Sequence, residues 1–203
     1  MAIKNIIFDF GGVIVDFDPD RSLGSHFPEE LHKKIKKETY LSSEWVEMDR
    51  GTIEVDAAVE IMCSRLPEEL RAEAAKMILD HATEMPPIEI MYPVVEALHK
   101  KGYKIYLLSN CPMWLYEYGK TVPAMQFFDG LIVSAEYNQI KPYKDIYLTL
   151  FSKFGLEPSE CFFIDDSEKN IETGRQVGMK AHCFADKDVD RLKTALLNEG
   201  VEI

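Results

Sequence analysis

The chain has 203 residues, 46% of them hydrophobic, enough for one domain, or one core with a modest insertion, to bury a real interior, and this argues against disorder. Its formal net charge is -12, and Lys and Arg are scattered rather than clustered, so the footprint of a nucleic-acid binder is missing and an anionic ligand would need locally placed cations. Cys63, Cys111, Cys161 and Cys183 form no C-x-x-C pair, which fits free thiols in a reducing, cytoplasmic setting, and no apolar run reaches signal-peptide or membrane-span length.

The first element is "IIFDFGGVIVDFD", residues 6–18, which begins as a buried strand, delivers Asp9 to a Gly11-Gly12 turn and ends in carboxylates. Residues 19 to about 87 then carry helical periodicity without a strand signal, in "EELHKKIKKETYLSSEWVEMDRG", "TIEVDAAVEIMCSRL" and "PEELRAEAAKMILDHATEM". This predicts a helical insertion that sits above the first strand as a cap, with hinges near Asp16 to Asp20 and Met85 to Pro87. From about residue 88 strands and helices alternate. "YPVVEALHKKG" reads as a helix stopped by Gly102, followed by the strand "YKIYLLS". "DIYLTLFSKFG" reads as a helix stopped by Gly155, followed by the strand "CFFIDD". The helix "EKNIETGRQVG", the strand "KAHCF" and the helix "DVDRLKTALLNEG" complete the chain. Such alternation predicts an α/β core, residues 1–18 and 88–203, built on a parallel sheet with helices on both faces, and a helical cap over 19–87.

Four polar features fall where a predicted strand ends or the next helix starts: Asp9, Ser109 with Asn110, Lys141, and Asp165 with Asp166. In open α/β sheets ligands bind at that edge. Singly, each has an ordinary reading as a turn residue, a helix cap or a solvated lysine. Together they describe a site, and the repulsion between two adjacent carboxylates makes a cation a natural partner.

The order Asp, Ser-Asn, Lys-Pro, Asp-Asp resembles the four motifs of the haloacid dehalogenase superfamily of hydrolases, over nearly the whole chain. The likeness is to members with a small helical cap, especially sugar-phosphate phosphatases such as the α-D-glucose-1-phosphate phosphatases, and "MDRGTIEVDAAVE" resembles a helix-start segment in that group. The resemblance implies a Rossmann-like fold and an Mg²⁺-dependent phosphatase of a small phosphorylated metabolite. Asp9 would be the nucleophile that forms an aspartyl-phosphate. Mg²⁺ would be held by Asp9, the Gly11 carbonyl and Asp166, with Asp165 behind them or as a further ligand. Ser109 and the Asn110 amide would hold phosphate oxygens, and Lys141 would supply fixed positive charge.

Gly11 departs from the pattern, because most phosphatases of the family carry there a second aspartate that exchanges protons with the leaving group and the attacking water. General acid-base help is worth roughly 10² to 10⁴ in rate. Without it, leaving groups that need little protonation are expected to react best, which favours sugar 1-phosphates. Asp16 is a candidate substitute, with support of the turn as its favoured reading. In the cap, Arg50 is the candidate contact for an anionic ligand; Trp45 and Met48 there, and Trp114 after the Ser-Asn motif, are either pocket walls or core. Two other readings stay open: a metal-free haloacid dehalogenase, against which the acidic pair argues, and a catalytically weak phosphate-binding or interaction module.

Overall fold

The structure, a computed structural model, describes residues 2–81 and 85–203, with only the backbone of His81; residues 82–84 of the expected cap lie outside the described residues. Strand β1 (Asn5–Phe8) is buried throughout. Five helices follow: α1 (Pro19–His26), α2 (Glu29–Glu38), α3 (Ser43–Arg50), α4 (Val55–Ser64) and α5 (Glu68–His81). The sequence suggests three helical stretches here, the first from Glu29 to Gly51; α1 precedes it, and a cap divides it into α2 and α3. Asp18 accepts from the N–H groups of Asp20 and Arg21 at the start of α1, and Ser42 accepts from the Trp45 N–H to open α3. Their apolar faces meet one another around Leu23, Ile35, Met48, Met62, Leu66 and Met77, a cluster separate from those of the sheet. Met48 therefore belongs to this interior and is not among the described residues lining the cavity below.

The remaining elements are α6 (Met91–Lys100), β2 (Lys104–Ser109), α7 (Leu115–Tyr118), β3 (Gly130–Val133), α8 (Ser134–Tyr137), α9 (Lys144–Phe154), β4 (Cys161–Asp165), α10 (Glu168–Gln176), β5 (Lys180–Cys183) and α11 (Val189–Asn198). The five strands form one sheet in the order β3-β2-β1-β4-β5, every pair parallel. Ile6 and Phe8 pack with Val94, Leu98, Leu192 and Leu196 on one face, and Ile7 packs with Ile146, Leu150 and Ile171 on the other. A central parallel strand covered on both faces has no polar side to show, which is why "NIIF" reads as an unbroken apolar run. Strand β3 is absent from the sequence reading. It is four residues long and begins at Gly130, where a Cβ would come within 2.4 Å of the Phe154 ring.

Phe8 lies opposite both Leu107 and Ile164, so Asp9, Ser109 and Asp165 end their strands along the same edge. The chain leaves the sheet there and returns beside its own exit. Val15 bridges Pro87, Asp16 N–H donates to the Pro86 carbonyl at 2.8 Å, and Ile88 N–H donates to the Ile14 carbonyl at 2.9 Å. The two crossings to the α1–α5 bundle are thus joined to each other. Among the described residues no helix is long and apolar enough to cross a membrane.

Candidate active site

Asp9 continues the ladder of β1, its N–H donating to the Ile164 carbonyl at 2.8 Å. Its Oδ1 accepts from Phe10 N–H and from Lys141 Nζ, each at 2.7 Å. Lys141 is 2% exposed and reaches Asp165 Oδ2 at 2.7 Å as well. Burial works against the Lys141 charge, but Asp165 and Asp9 outweigh it and hold the ammonium above its ordinary range. Burial also raises Asp9 well above the usual carboxylate range, reinforced by Asp165 and Asp166 and opposed by Lys141. Cations brought near would reverse that balance.

Asp9, Asp165 and Asp166 present carboxylate oxygens that all lie within 4.8 Å of one another, the all-oxygen donor set that a hard divalent cation takes. The two neighbouring aspartates differ in their engagement. Asp165 is fully buried and its oxygens receive Lys141, Ser167 N–H and the Asn170 carboxamide. Asp166 is exposed, and its pKa is raised by partial desolvation and by Asp165. The turn is shaped around Asp166. Gly12 has φ +76, and a Cβ there would stand 2.1 Å from Asp166 Oδ2, so no other residue fits without displacing the carboxylate.

Ser109, 2% exposed, ends β2. The carboxamide of Asn110 pairs with the Lys141 backbone, donating to its carbonyl at 3.0 Å and accepting from its N–H at 2.8 Å. That pairing fixes the lysine loop against the end of β2. Above these groups lies a cavity of about 260 Å³ lined by Asp9, Gly11, Ser109, Asn110, Cys111 and Asp166 from the sheet edge. Its other wall includes Phe17, Trp45, Asp49 and Trp114. The Cys111 thiol is pushed well above its ordinary range by burial and stays neutral.

Arg50 is not among the described residues lining the cavity; it ends α3, and its carbonyl accepts from Asn138. Its neighbour Asp49, passed over in the sequence, does line it. Asp16 is also outside the lining. It pairs with Arg21 and with Lys187 at 2.5 Å, contacts that depress its pKa, so it stays ionised and ties the crossing to the segment before α11. Gly11 lines the cavity, and a Cβ there would meet the Phe17 Cβ at 3.2 Å, so the wall itself crowds the place where an acid is missing.

The profile of the haloacid dehalogenase-like hydrolases matches residues 3–178. The chain belongs to that family. It is 28% identical to the D-ribitol-5-phosphate phosphatase of Bacteroides thetaiotaomicron over 191 residues, 88% of this chain and 90% of that one. It is 26% identical to the phosphoglycolate phosphatase of Aquifex aeolicus, over 88% of this chain and 83% of the relative. Likeness of this extent to phosphatases, within a hydrolase family, makes it a phosphatase of the haloacid dehalogenase-like type. Among solved structures, a family enzyme of Bacteroides thetaiotaomicron in complex with magnesium and inorganic phosphate superposes with TM-score 0.68, at 21% identity over 90% of this chain and 94% of that one. The L-2-haloacid dehalogenase of Xanthobacter autotrophicus gives TM-score 0.69 at 18% identity, over 97% of this chain and 83% of that one, a likeness of fold alone.

Proposed function

We propose that the protein is an Mg²⁺-dependent phosphatase that hydrolyses a small phosphorylated metabolite through an aspartyl-phosphate on Asp9, with residues 1–18 and 88–203 as the catalytic core and 19–87 as its cap. The observation that carries this reading is the convergence of Asp9, Lys141, Asp165 and Asp166 beneath one cavity at the carboxyl edge of the sheet. The Asp9 carboxylate attacks phosphorus. The Ser109 hydroxyl and the Asn110 main-chain N–H hold phosphoryl oxygens, since the Asn110 carboxamide is occupied by Lys141. Lys141 fixes Asp9 in place and offers the positive charge that a loose phosphoryl transition state needs.

Asp9, Asp166 and the Gly11 carbonyl would hold the metal, with Asp165 orienting Lys141 behind them; the hard oxygen donors, Asp166 among them seated against Gly12, fit a magnesium ion. When bound there it offsets the repulsion between phosphate and the two carboxylates. A cavity of about 260 Å³ suits a small sugar or polyol phosphate. Sugar 1-phosphates are the favoured class, because their leaving group is the one the core handles unaided past Gly11. Phosphates of ordinary alcohols, such as the ribitol 5-phosphate in the relative's name, form a second class favoured by one observation, the carboxyl of Asp49 on the cavity wall. Free cysteines, three of them buried, suit a cytoplasmic protein.

The test is a screen of phosphorylated metabolites for phosphate release, with Mg²⁺ and with excess chelator, alongside halide release from 2-haloacids. Metal-dependent phosphate release is expected. Halide release that survives the chelator would overturn the reading.

A further inference from the structure

Three carboxylates line the cavity among its described residues: Asp9, Asp166 and Asp49. The first two belong to the nucleophile and metal cluster at the sheet edge, and the third comes from α3 on the other side. In a displacement at phosphorus the attacking and leaving oxygens lie roughly in line. With Asp9 attacking from the sheet edge, the leaving oxygen points away from it, toward the cap wall. We propose that Asp49 is the catalytic acid and base of this enzyme, giving its proton to the leaving alcohol and then taking one from the attacking water, in place of the side chain that Gly11 lacks.

The proposal rests on the phosphatase reading above. In the first half-reaction the ester P–O bond breaks as the bond from Asp9 to phosphorus forms, and the departing electron pair stays on the alcohol oxygen, which takes the proton of Asp49. In the second, water attacks phosphorus and yields a proton to the Asp49 carboxylate while the Asp9–phosphorus bond breaks. Inorganic phosphate, free Asp9 and a protonated Asp49 result, so the cycle closes.

The surroundings of Asp49 suit this work. Trp45, one turn earlier on α3, hydrogen-bonds its carboxyl, and the Asp49 carbonyl accepts from the Ser134 hydroxyl of α8. Ser134 in turn accepts from Cys111 N–H at 2.7 Å, so this one hydroxyl links the helix to the loop that follows β2. Asn138 donates to the Gly51 carbonyl at 2.9 Å. Burial pushes the Asp49 carboxyl well above the usual range, with Trp45 and Lys141 opposing it, which keeps a proton available at higher pH than for a solvated aspartate. The elements packed on α3 also bring Asp56 and Glu60 from α4 and Glu136 and Tyr137 from α8; none of these perturbs it, and the buried Cys111 thiol beside it is neutral.

The experiment compares the native chain with Asp49→Asn, which keeps a carbonyl for Trp45, and with Asp49→Glu, which keeps the acid. The substrates are p-nitrophenyl phosphate, whose leaving group needs no proton, and ribitol 5-phosphate, whose leaving group does. In Asp49→Asn, kcat/KM on the alcohol ester should fall by about 10² to 10⁴ while that on the aryl ester changes little. The aryl ester should also show a burst of one nitrophenol per enzyme followed by slow turnover, with one phosphoryl group on Asp9 seen by mass spectrometry, because the base for the second step is gone. Native activity on the alcohol ester should drop as pH rises through the Asp49 pKa, a limb that Asp49→Asn lacks and Asp49→Glu retains. An equal fall on both esters without a burst, or an unchanged rate on the alcohol ester, would overturn the role of Asp49. A native enzyme that never needs Asp9 would overturn the phosphatase reading instead.

Discussion

The sheet edge and the α1–α5 bundle face the same cavity from opposite sides, and they hold their polar groups by different means. In the core, Lys141 is clamped between two buried carboxylates, Asp9 and Asp165, and the Asn110 carboxamide locks the lysine loop to β2. Removing any one partner leaves a buried charge exposed to a low dielectric, so the arrangement is rigid. The α1–α5 bundle meets the rest of the chain through separate small contacts instead, among them Ser134 to Asp49, Asn138 to Gly51, Arg21 to Asp16, the Phe17 ring against Tyr40 and Trp45, and the close approach of Gly51 to the Ala135 backbone. Each such hydrogen bond contributes only about 1 kcal/mol. A charge-clamped cluster below and a wall held by separate small contacts above is the division expected if residues 19–87 act as the proposed cap, opening for substrate and closing over it.

The comparison breaks most sharply at the nucleophile. Asp9→Asn should lower turnover by on the order of 10⁵ to 10⁶, whatever the substrate, as loss of a nucleophile does. Excess chelator should abolish activity and added Mg²⁺ restore it, measured by phosphate release; full activity in chelator would remove the metal from the account. Next comes Lys141→Ala, which strands Asp9 and Asp165 without their cation. A loss of about 3 to 5 kcal/mol of unfolding free energy, read by urea titration, is expected on top of inactivity. A fully stable Lys141→Ala would mean that the buried pair is less rigid than its geometry implies.

Smaller effects should come from the cap. Gly51 has φ +77, and a Cβ there would lie 2.4 Å from the Ala135 carbonyl oxygen. Gly51→Ala should therefore lift the end of α3 off α8 at a cost of about 1 to 3 kcal/mol. It should raise KM and weaken the discrimination among substrates while leaving Mg²⁺ affinity, followed by calorimetry, as it was. Arg50→Ala should do least, with relative rates across substrates within about twofold of native, because its side chain is outside the cavity wall and surface changes stay within about 0.5 kcal/mol. A reordering of substrate preference by Arg50→Ala would restore it as the selecting residue of the cap.

The chain order of the core site was legible because each group is announced locally. A run that must be buried on both faces ends in a polar residue, as in "NIIF" before Asp9 and "CFFI" before Asp165, and in a parallel sheet those ends fall at one edge. The helical character of residues 19–81 was legible from its period for the same reason. Tertiary structure alone decided which side of α3 meets the cavity. Successive helical residues are rotated by about 100°, so Asp49 and Arg50 point in different directions, and the packing of α3 on α8 and α4 sets which one faces the cavity. It also decided that β3 exists, because a four-residue run starting at Gly130 becomes a strand only when β2 lies beside it. Which of Asp165 and Asp166 is engaged by Lys141 and which stays exposed followed from the strand's end and the lysine loop 24 residues earlier in the chain. Sequence period records which residues must avoid water, whereas the partner of a polar side chain is set by segments far away in the chain, and only the folded arrangement brings those together.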